Sequence, residues 1–171
     1  MFSKQDIEKY FLAEKQLALL FIIIGSLAVV LAVVFFCFLK TPFLNGAAIP
    51  LLLIGLFQLL ACINIYRKSD EDRIRNVYAY DMNPDQLTNE ELPRMKRVIG
   101  TFAIIKWAEI ALVVTGLLLI YYYRADPSKT FWYGVGLTLT VQTLILFIAD
   151  YAAERRALLY TKGIENFVRK K

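Results

Sequence analysis

The chain has 171 residues, of which 58% are hydrophobic and 20% charged, with a formal net charge of +5 at pH 7. Its mean hydropathy is +0.50, and the apolar residues form long blocks of the length that a helix needs to cross a bilayer. Histidine is absent, which argues against a Cys–His protease and a zinc centre. The composition predicts an all-α integral membrane protein.

The first half predicts one antiparallel hairpin. Ser3 and Asp6 have the spacing of a capping box, which would start an interfacial helix that runs into a first span at about 17–39. Pro42 and Gly46 predict a short outer turn, and a second span follows at about 47–66. A turn this short makes the two helices antiparallel neighbours.

The segment 67–97 predicts a loop on the same side as the N-terminus, too small to be a separate domain. We expect the second helix to continue into it and to end near Asp81–Pro84, because proline disfavours helix in the residue before it. Thr88–Glu91 reads as a second capping box, which would open the third long helix.

The third span carries two charges. The 14 uncharged residues 110–123 are too few to cross a bilayer. Unless this segment is re-entrant, the span reaches back to about residue 101 and includes Lys106 and Glu109. Glu109 would then lie about 12 Å above the inner edge, close to the midplane. Three residues apart, the two side chains share a helix face and can pair. Two interpretations stay open: a structural ion pair, or a site at which Glu109 binds a cation, a proton or a partner's basic residue.

The fourth span is predicted at about 131–151, followed by a cytoplasmic C-terminal helix at 152–171. The N-terminus, the central loop and the C-terminus together hold 16 basic residues, against three in the outer turns. This excess predicts that both termini are cytoplasmic. The chain is therefore expected to be a single membrane domain over 1–171, a four-helix bundle of two antiparallel hairpins in the plasma (inner) membrane. The basic residues are dispersed among acids, which argues against nucleic-acid binding.

Five polar residues inside the spans form the candidate site: Gln58, Lys106, Glu109, Gln142 and Asp150. The two glutamines sit at the centres of their spans, where an interhelical hydrogen bond is the expected role. They would cap Glu109 if all three face the interior. Asp150 closes the fourth span, and we expect it to pair with an arginine of the following cytoplasmic motif Glu154, Arg155 and Arg156. A transport site is the alternative for Asp150.

The two halves resemble each other. A shift of 84 positions places Lys40 on Arg124 and Gln58 on Gln142, and each half is a hairpin of the same orientation. A duplication with parallel repeats is one hypothesis. Chance similarity between apolar helices is the other.

Two segments, RMKRVIGTFAIIKWAEI (94–110) and GVGLTLTVQTLILFIADYAAERRALLY (134–160), resemble a family of small, uncharacterised bacterial four-span membrane proteins. The matching positions are Arg94, Met95, Glu109, Gly134, Gly136, Leu137, Gln142, Asp150, Ala153, Glu154, Arg156 and Tyr160. The resemblance covers the C-terminal half. Some relatives are encoded beside large secreted toxins, so the resemblance implies an immunity-like protein.

No GxGxxG, P-loop or GxSxG motif is present in the sequence. We therefore expect a non-enzymatic protein, without cofactor or metal, that recognises a membrane or toxin partner as an immunity-like or accessory subunit. The alternative is a small oligomeric proton-coupled transporter or channel that uses Glu109. A purely structural subunit is a third possibility. The expected partners are the bilayer, another membrane protein or toxin, and a further copy of the chain in a homo-oligomer.

Overall fold

The computed structural model describes residues 2–169, and this part of the chain is 95% helical with no strands. The elements are α1 (Lys4–Val34, extended by a π-helical turn at Phe35–Leu39), α2 (Pro42–Met82), the short α3 (Pro84–Gln86, followed by a π-helical turn at Leu87–Glu91), α4 (Leu92–Tyr123), a 3-10 turn (Pro127–Lys129) and α5 (Thr130–Arg169). Four of these helical segments are long and apolar enough to cross a membrane. The predicted all-α class is confirmed, and so are four long apolar helices.

One of the two predicted capping boxes is present. The Ser3 amide and hydroxyl donate to Asp6 Oδ2 at 2.8 and 2.9 Å. Thr88, in contrast, lies inside helical backbone, where its hydroxyl donates to the Pro84 carbonyl at 3.4 Å. The expected second box is wrong because Pro84 already starts the helix, a position for which its fixed φ is suited.

The outer turn between α1 and α2 is tighter than expected. Only Lys40, in the left-handed conformation with φ 48°, and Thr41 separate the two helices. The Thr41 hydroxyl caps α2 by accepting the amide of Leu44 at 3.3 Å. Gly46 therefore lies inside α2 and is not part of the turn, so the sequence prediction for Gly46 was wrong.

The long helices lie in the order α1–α2–α5–α4. Each predicted hairpin forms, α1 with α2 and α4 with α5, and the hairpins join through α2 and α5. Through its apolar part α4 packs on α5, and the row of helices there is open, with α1 and α4 at its edges. At the end that holds the N-terminus the row closes, because Arg94 and Met95 of α4 reach side chains of α1 and α2.

Helices α2 and α5 approach each other closely at two glycines, one in each helix. A Cβ on Gly46 would lie 2.0 Å from the Phe131 carbonyl oxygen, and one on Gly134 would lie 2.2 Å from the Phe43 carbonyl oxygen. Each helix therefore contributes a Phe-x-x-Gly segment that fits the other backbone. The pairing relates Phe43 to Phe131, a spacing of 88 positions and not 84. The duplication remains a hypothesis.

The main buried core lies beyond the apolar spans, at the end of the molecule where the N-terminus meets the end of α5. We call it the basal core; it consists of Ile7, Tyr10, Phe11, Ala79, Leu87, Met95, Ala157, Tyr160 and Ile164. The rings of Phe2 and Phe167 are 6.1 Å apart, so the two ends of the described chain share this side. The expected loop 67–97 is helical apart from Asn83.

The C-terminal helix predicted at 152–171 is present as far as Arg169 and continues α5 without a break; residues 170 and 171 lie outside the described part.

Candidate functional site

Four of the charged residues singled out by the sequence lie together between α4 and α5. Lys106 and Glu109 of α4 and Asp150 and Glu154 of α5 surround a cavity of about 10 Å³. We call these four residues the acidic cluster. The cavity is about the size of one water molecule. The antiparallel packing of α4 on α5 produces this grouping, because residues that follow Asp150 along α5 lie beside residues that precede Glu109 along α4.

Lys106 pairs across the helix interface. Its Nζ lies 2.6 Å from Glu154 Oε2, whereas no ion pair joins it to Glu109 in residues 2–169. The expected pairing within α4 is therefore replaced by a pairing between helices. Glu154, grouped by sequence with Arg155 and Arg156, belongs to the acidic cluster. The Lys106 side chain keeps 36% of its surface exposed, against 14% for Glu154.

The other two acids of the cluster face each other. Glu109 is 6% exposed, and it lines the same small cavity as Asp150. Two carboxyl groups can hydrogen-bond only when a proton lies between them, since an ionised carboxylate is an acceptor alone. This pair can therefore hold a proton, or it can bind a cation when both groups are ionised.

Asp150 does not use the arginines expected to pair with it. Within the described residues neither Arg155 nor Arg156 forms an ion pair with it, and Asp150 instead lines the small cavity together with Glu109. Arg155 is exposed, while Arg156 is half-buried and lines a groove between α1 and α5.

The two glutamines have separate roles. Gln58 Nε2 donates to the Phe21 carbonyl at 2.8 Å and joins α2 to α1, which confirms the expected interhelical hydrogen bond. Gln142 Oε1 is buried and accepts no hydrogen bond among residues 2–169. Within residues 2–169 neither side chain hydrogen-bonds to Glu109: Gln58 is directed towards α1, and the Gln142 amide oxygen has no partner.

The acidic cluster lies at the basal end of the apolar region. Along α5, about 27 Å of helix separates Trp132 from Asp150, close to the roughly 30 Å of a hydrocarbon core. The rings of Trp107 and Tyr151, next to the cluster, are 72% and 58% exposed. Exposed aromatic rings are typical of membrane interfaces. This geometry favours an interfacial depth for Glu109, in contrast to the midplane position expected from its own helix.

A second polar site lies in the basal core and was missed by sequence reasoning. The Glu91 side chain is 1% exposed, and Arg94 donates to both of its oxygens, at 2.8 Å from Nε and 2.7 Å from Nη2. The Arg94 guanidinium also lies 5.7 Å from the centre of the Phe11 ring. Arg94 entered the sequence analysis only through the family resemblance. The available signal for Glu91 was its three-residue spacing from Arg94.

Burial also affects Glu14, which faces this second site from α1. Burial raises the pKa of the Glu14 carboxyl, and Asp72 and Glu91 add to the effect. Arg94 and a hydrogen bond with Tyr10 act in the opposite direction but do not cancel it.

Among the described residues no three His, Cys, Asp or Glu side chains are placed to hold a metal ion. No protein-family model, curated protein or solved structure matches the chain. The family resemblance therefore depends on the matching residues alone.

Proposed function

We propose that this chain is a non-enzymatic protein of the inner membrane, with both termini in the cytoplasm, that recognises a second membrane protein or toxin as an immunity-like or accessory subunit. One observation carries the proposal. The acidic cluster has three carboxyl groups for one ammonium group and lies at the edge of an open row of helices.

Helix α4 has room for a partner. In its most apolar stretch 11% of the residues are buried, against 33% in α2. Ile104 and Trp107 are 73% and 72% exposed. Lipid can cover an apolar face, but charged groups near hydrocarbon are costly without a polar partner. The partly exposed Lys106–Glu154 pair therefore favours a protein neighbour on this edge.

The excess of acid indicates the chemistry of that neighbour. Glu109 and Asp150 have no basic residue of their own in the described part of the chain. A lysine or arginine in a partner helix would neutralise the pair, and pairing lowers the cost of burying both charges.

Site-specific photo-crosslinking in native membranes tests the proposal. A photo-reactive residue at Ile104 should give a discrete crosslinked product, whereas one at Leu27 of α1, 58% exposed on the opposite edge, should give only lipid adducts. Adding Glu109→Gln should weaken the Ile104 product several-fold, while Glu8→Gln on an exposed part of α1 should not. Equal products from both positions, or a product indifferent to Glu109→Gln, would count against recognition by the cluster.

The contact between Glu109 and Asp150 favours a second candidate, a small oligomeric proton-coupled transporter or channel. Carboxyl groups that share a proton are the usual elements of proton relays in membranes. A pH-driven flux in proteoliposomes that disappears in Glu109→Gln and persists in Glu90→Gln, an exposed acid beyond the spans, would support it. Absence of flux in the wild type would leave recognition as the function.

A further inference from the structure

A groove lies between the beginning of α1 and the end of α5, outside the acidic cluster. We call it the basal groove; its volume is about 840 Å³, and it is walled by the rings of Phe2, Tyr10, Tyr160 and Phe167 with Lys9 and Arg156 beside them. This volume is within the range of small-molecule sites. The aromatic walls would accept an apolar body, and the two basic residues would accept an anionic group.

The charge of the basal groove is positive. Within residues 2–169 neither Lys9 nor Arg156 forms an ion pair. The acid of the groove, Asp6, is already bound to the amide and hydroxyl of Ser3. Two cations without partners next to aromatic walls fit a phosphate-bearing amphiphile.

The walls of the basal groove continue into lipid-facing surface. On α1, Leu20 lies three helical turns beyond Lys9 and is 51% exposed. On α5, Ile145 lies three turns before Arg156, and Ile148 lies three turns before Leu159. These two side chains are 49% and 69% exposed. An acyl chain could therefore follow the same helix faces that line the groove. A soluble anion would make no use of these apolar stripes.

The depth of the two cations also fits a lipid. Arg156 lies about 9 Å of helix beyond Asp150, and Lys9 about 12 Å before the first apolar block at Leu17. Headgroup layers extend about 5–8 Å beyond the hydrocarbon, and long basic side chains reach back towards the interface. Both groups can therefore reach the phosphate of a lipid in the adjacent leaflet.

We propose that the basal groove binds an anionic phospholipid of the cytoplasmic leaflet, with Lys9 and Arg156 on its phosphate and its acyl chains along the exposed faces of α1 and α5. The site is separate from the proposed partner edge, which lies on α4. Failure of one proposal therefore does not decide the other.

The test measures lipid binding to purified protein in neutral detergent. The protein is titrated with phosphatidylglycerol and with phosphatidylcholine of the same chain length, and bound lipid is counted by native mass spectrometry. We expect preference for phosphatidylglycerol. Lys9→Gln and Arg156→Gln should each weaken its binding about fivefold, and the double variant about 25-fold. Arg155→Gln, an exposed neighbour of the same type, should stay within about twofold.

Equal binding of the two lipids would overturn the proposal. So would a loss of phosphatidylglycerol binding in Arg155→Gln as large as that in Lys9→Gln or Arg156→Gln. Displacement of the lipid by inorganic phosphate at the same concentration would also overturn it, because it would indicate a site for a soluble anion. If a charge variant loses its helical circular dichroism signal, and so does not fold, Ala13→Trp tests the site in its place. It fills the groove without altering its charge, and should abolish the preference for phosphatidylglycerol. Unchanged binding by that variant would refute the site.

Discussion

The ring of Tyr10 in α1 stacks face to face on the ring of Tyr160 in α5, with 4.3 Å between the ring centres and 2° between the ring planes. This contact joins the first and last long helices of the chain in the basal core. The Tyr160 hydroxyl is buried near Glu91, but Arg94 donates to both Glu91 oxygens, and the hydroxyl forms no hydrogen bond of good geometry among residues 2–169. The stabilisation therefore comes from the rings and not from the Tyr160 hydroxyl.

Removing that hydroxyl should not harm the protein. We expect Tyr160→Phe to leave the free energy of unfolding unchanged or to raise it by about 1 kcal/mol, because an unpaired buried polar group is lost. Tyr160→Ala should cost about 3–5 kcal/mol, because it leaves a cavity against Tyr10. Unfolding in detergent, followed by circular dichroism, measures both. A loss in Tyr160→Phe as large as that in Tyr160→Ala would show that the hydroxyl is paired.

The Arg94–Glu91 pair makes a sharper prediction. Arg94→Met should destabilise the fold by about 3–5 kcal/mol, because it leaves the Glu91 carboxylate buried without a partner. The double variant Arg94→Met with Glu91→Leu should recover most of that loss. Arg94→Lys should not, since one ammonium cannot serve both carboxylate oxygens. A double-mutant cycle of unfolding free energies measures the coupling. If the losses in the two single variants simply add up in the double variant, Arg94 and Glu91 are not coupled.

Stability should depend on pH through Glu14. Its pKa is raised by burial, so the folded state binds the proton more tightly than the unfolded state. The wild type therefore loses stability as pH rises from the ordinary glutamate range through the raised pKa of the folded state. Glu14→Gln should raise the melting temperature at about pH 8, and this gain should shrink towards about pH 4. Glu8→Gln, exposed on the same helix, should show no such trend.

Three glycines make a matched set. Gly46→Ala and Gly134→Ala should each separate α2 from α5 and destabilise the fold, because the added Cβ would lie 2.0 and 2.2 Å from a backbone oxygen. Gly100→Ala has nothing within 4 Å of its Cβ. It should stabilise α4 by about 0.5–1 kcal/mol through helix propensity. Thermal melts of the three variants give the comparison, and a tolerated Gly46→Ala would contradict the close crossing.

Much of the fold follows from local sequence. Three uncharged blocks, and a fourth apolar stretch that includes Lys106 and Glu109, predict four long helices, because a chain in hydrocarbon must satisfy its backbone hydrogen bonds within each helix. The Ser3 capping box is equally local. Thr88 failed as a helix start because Pro84, four residues earlier, already supplied one. The position of Gly46 was misread because a close backbone approach from α5 leaves no mark in the sequence of α2.

For the candidate site, too, one part could be predicted from the sequence and another part could not. The residue types of Lys106, Glu109 and Asp150 and their cost near hydrocarbon are properties of the sequence. Their partners are not, since a contact between helices depends on the rotation and register of each helix, which apolar periodicity constrains only weakly. The tertiary structure therefore decided that Lys106 pairs with Glu154, that Glu109 meets Asp150, and that the helices form an open row.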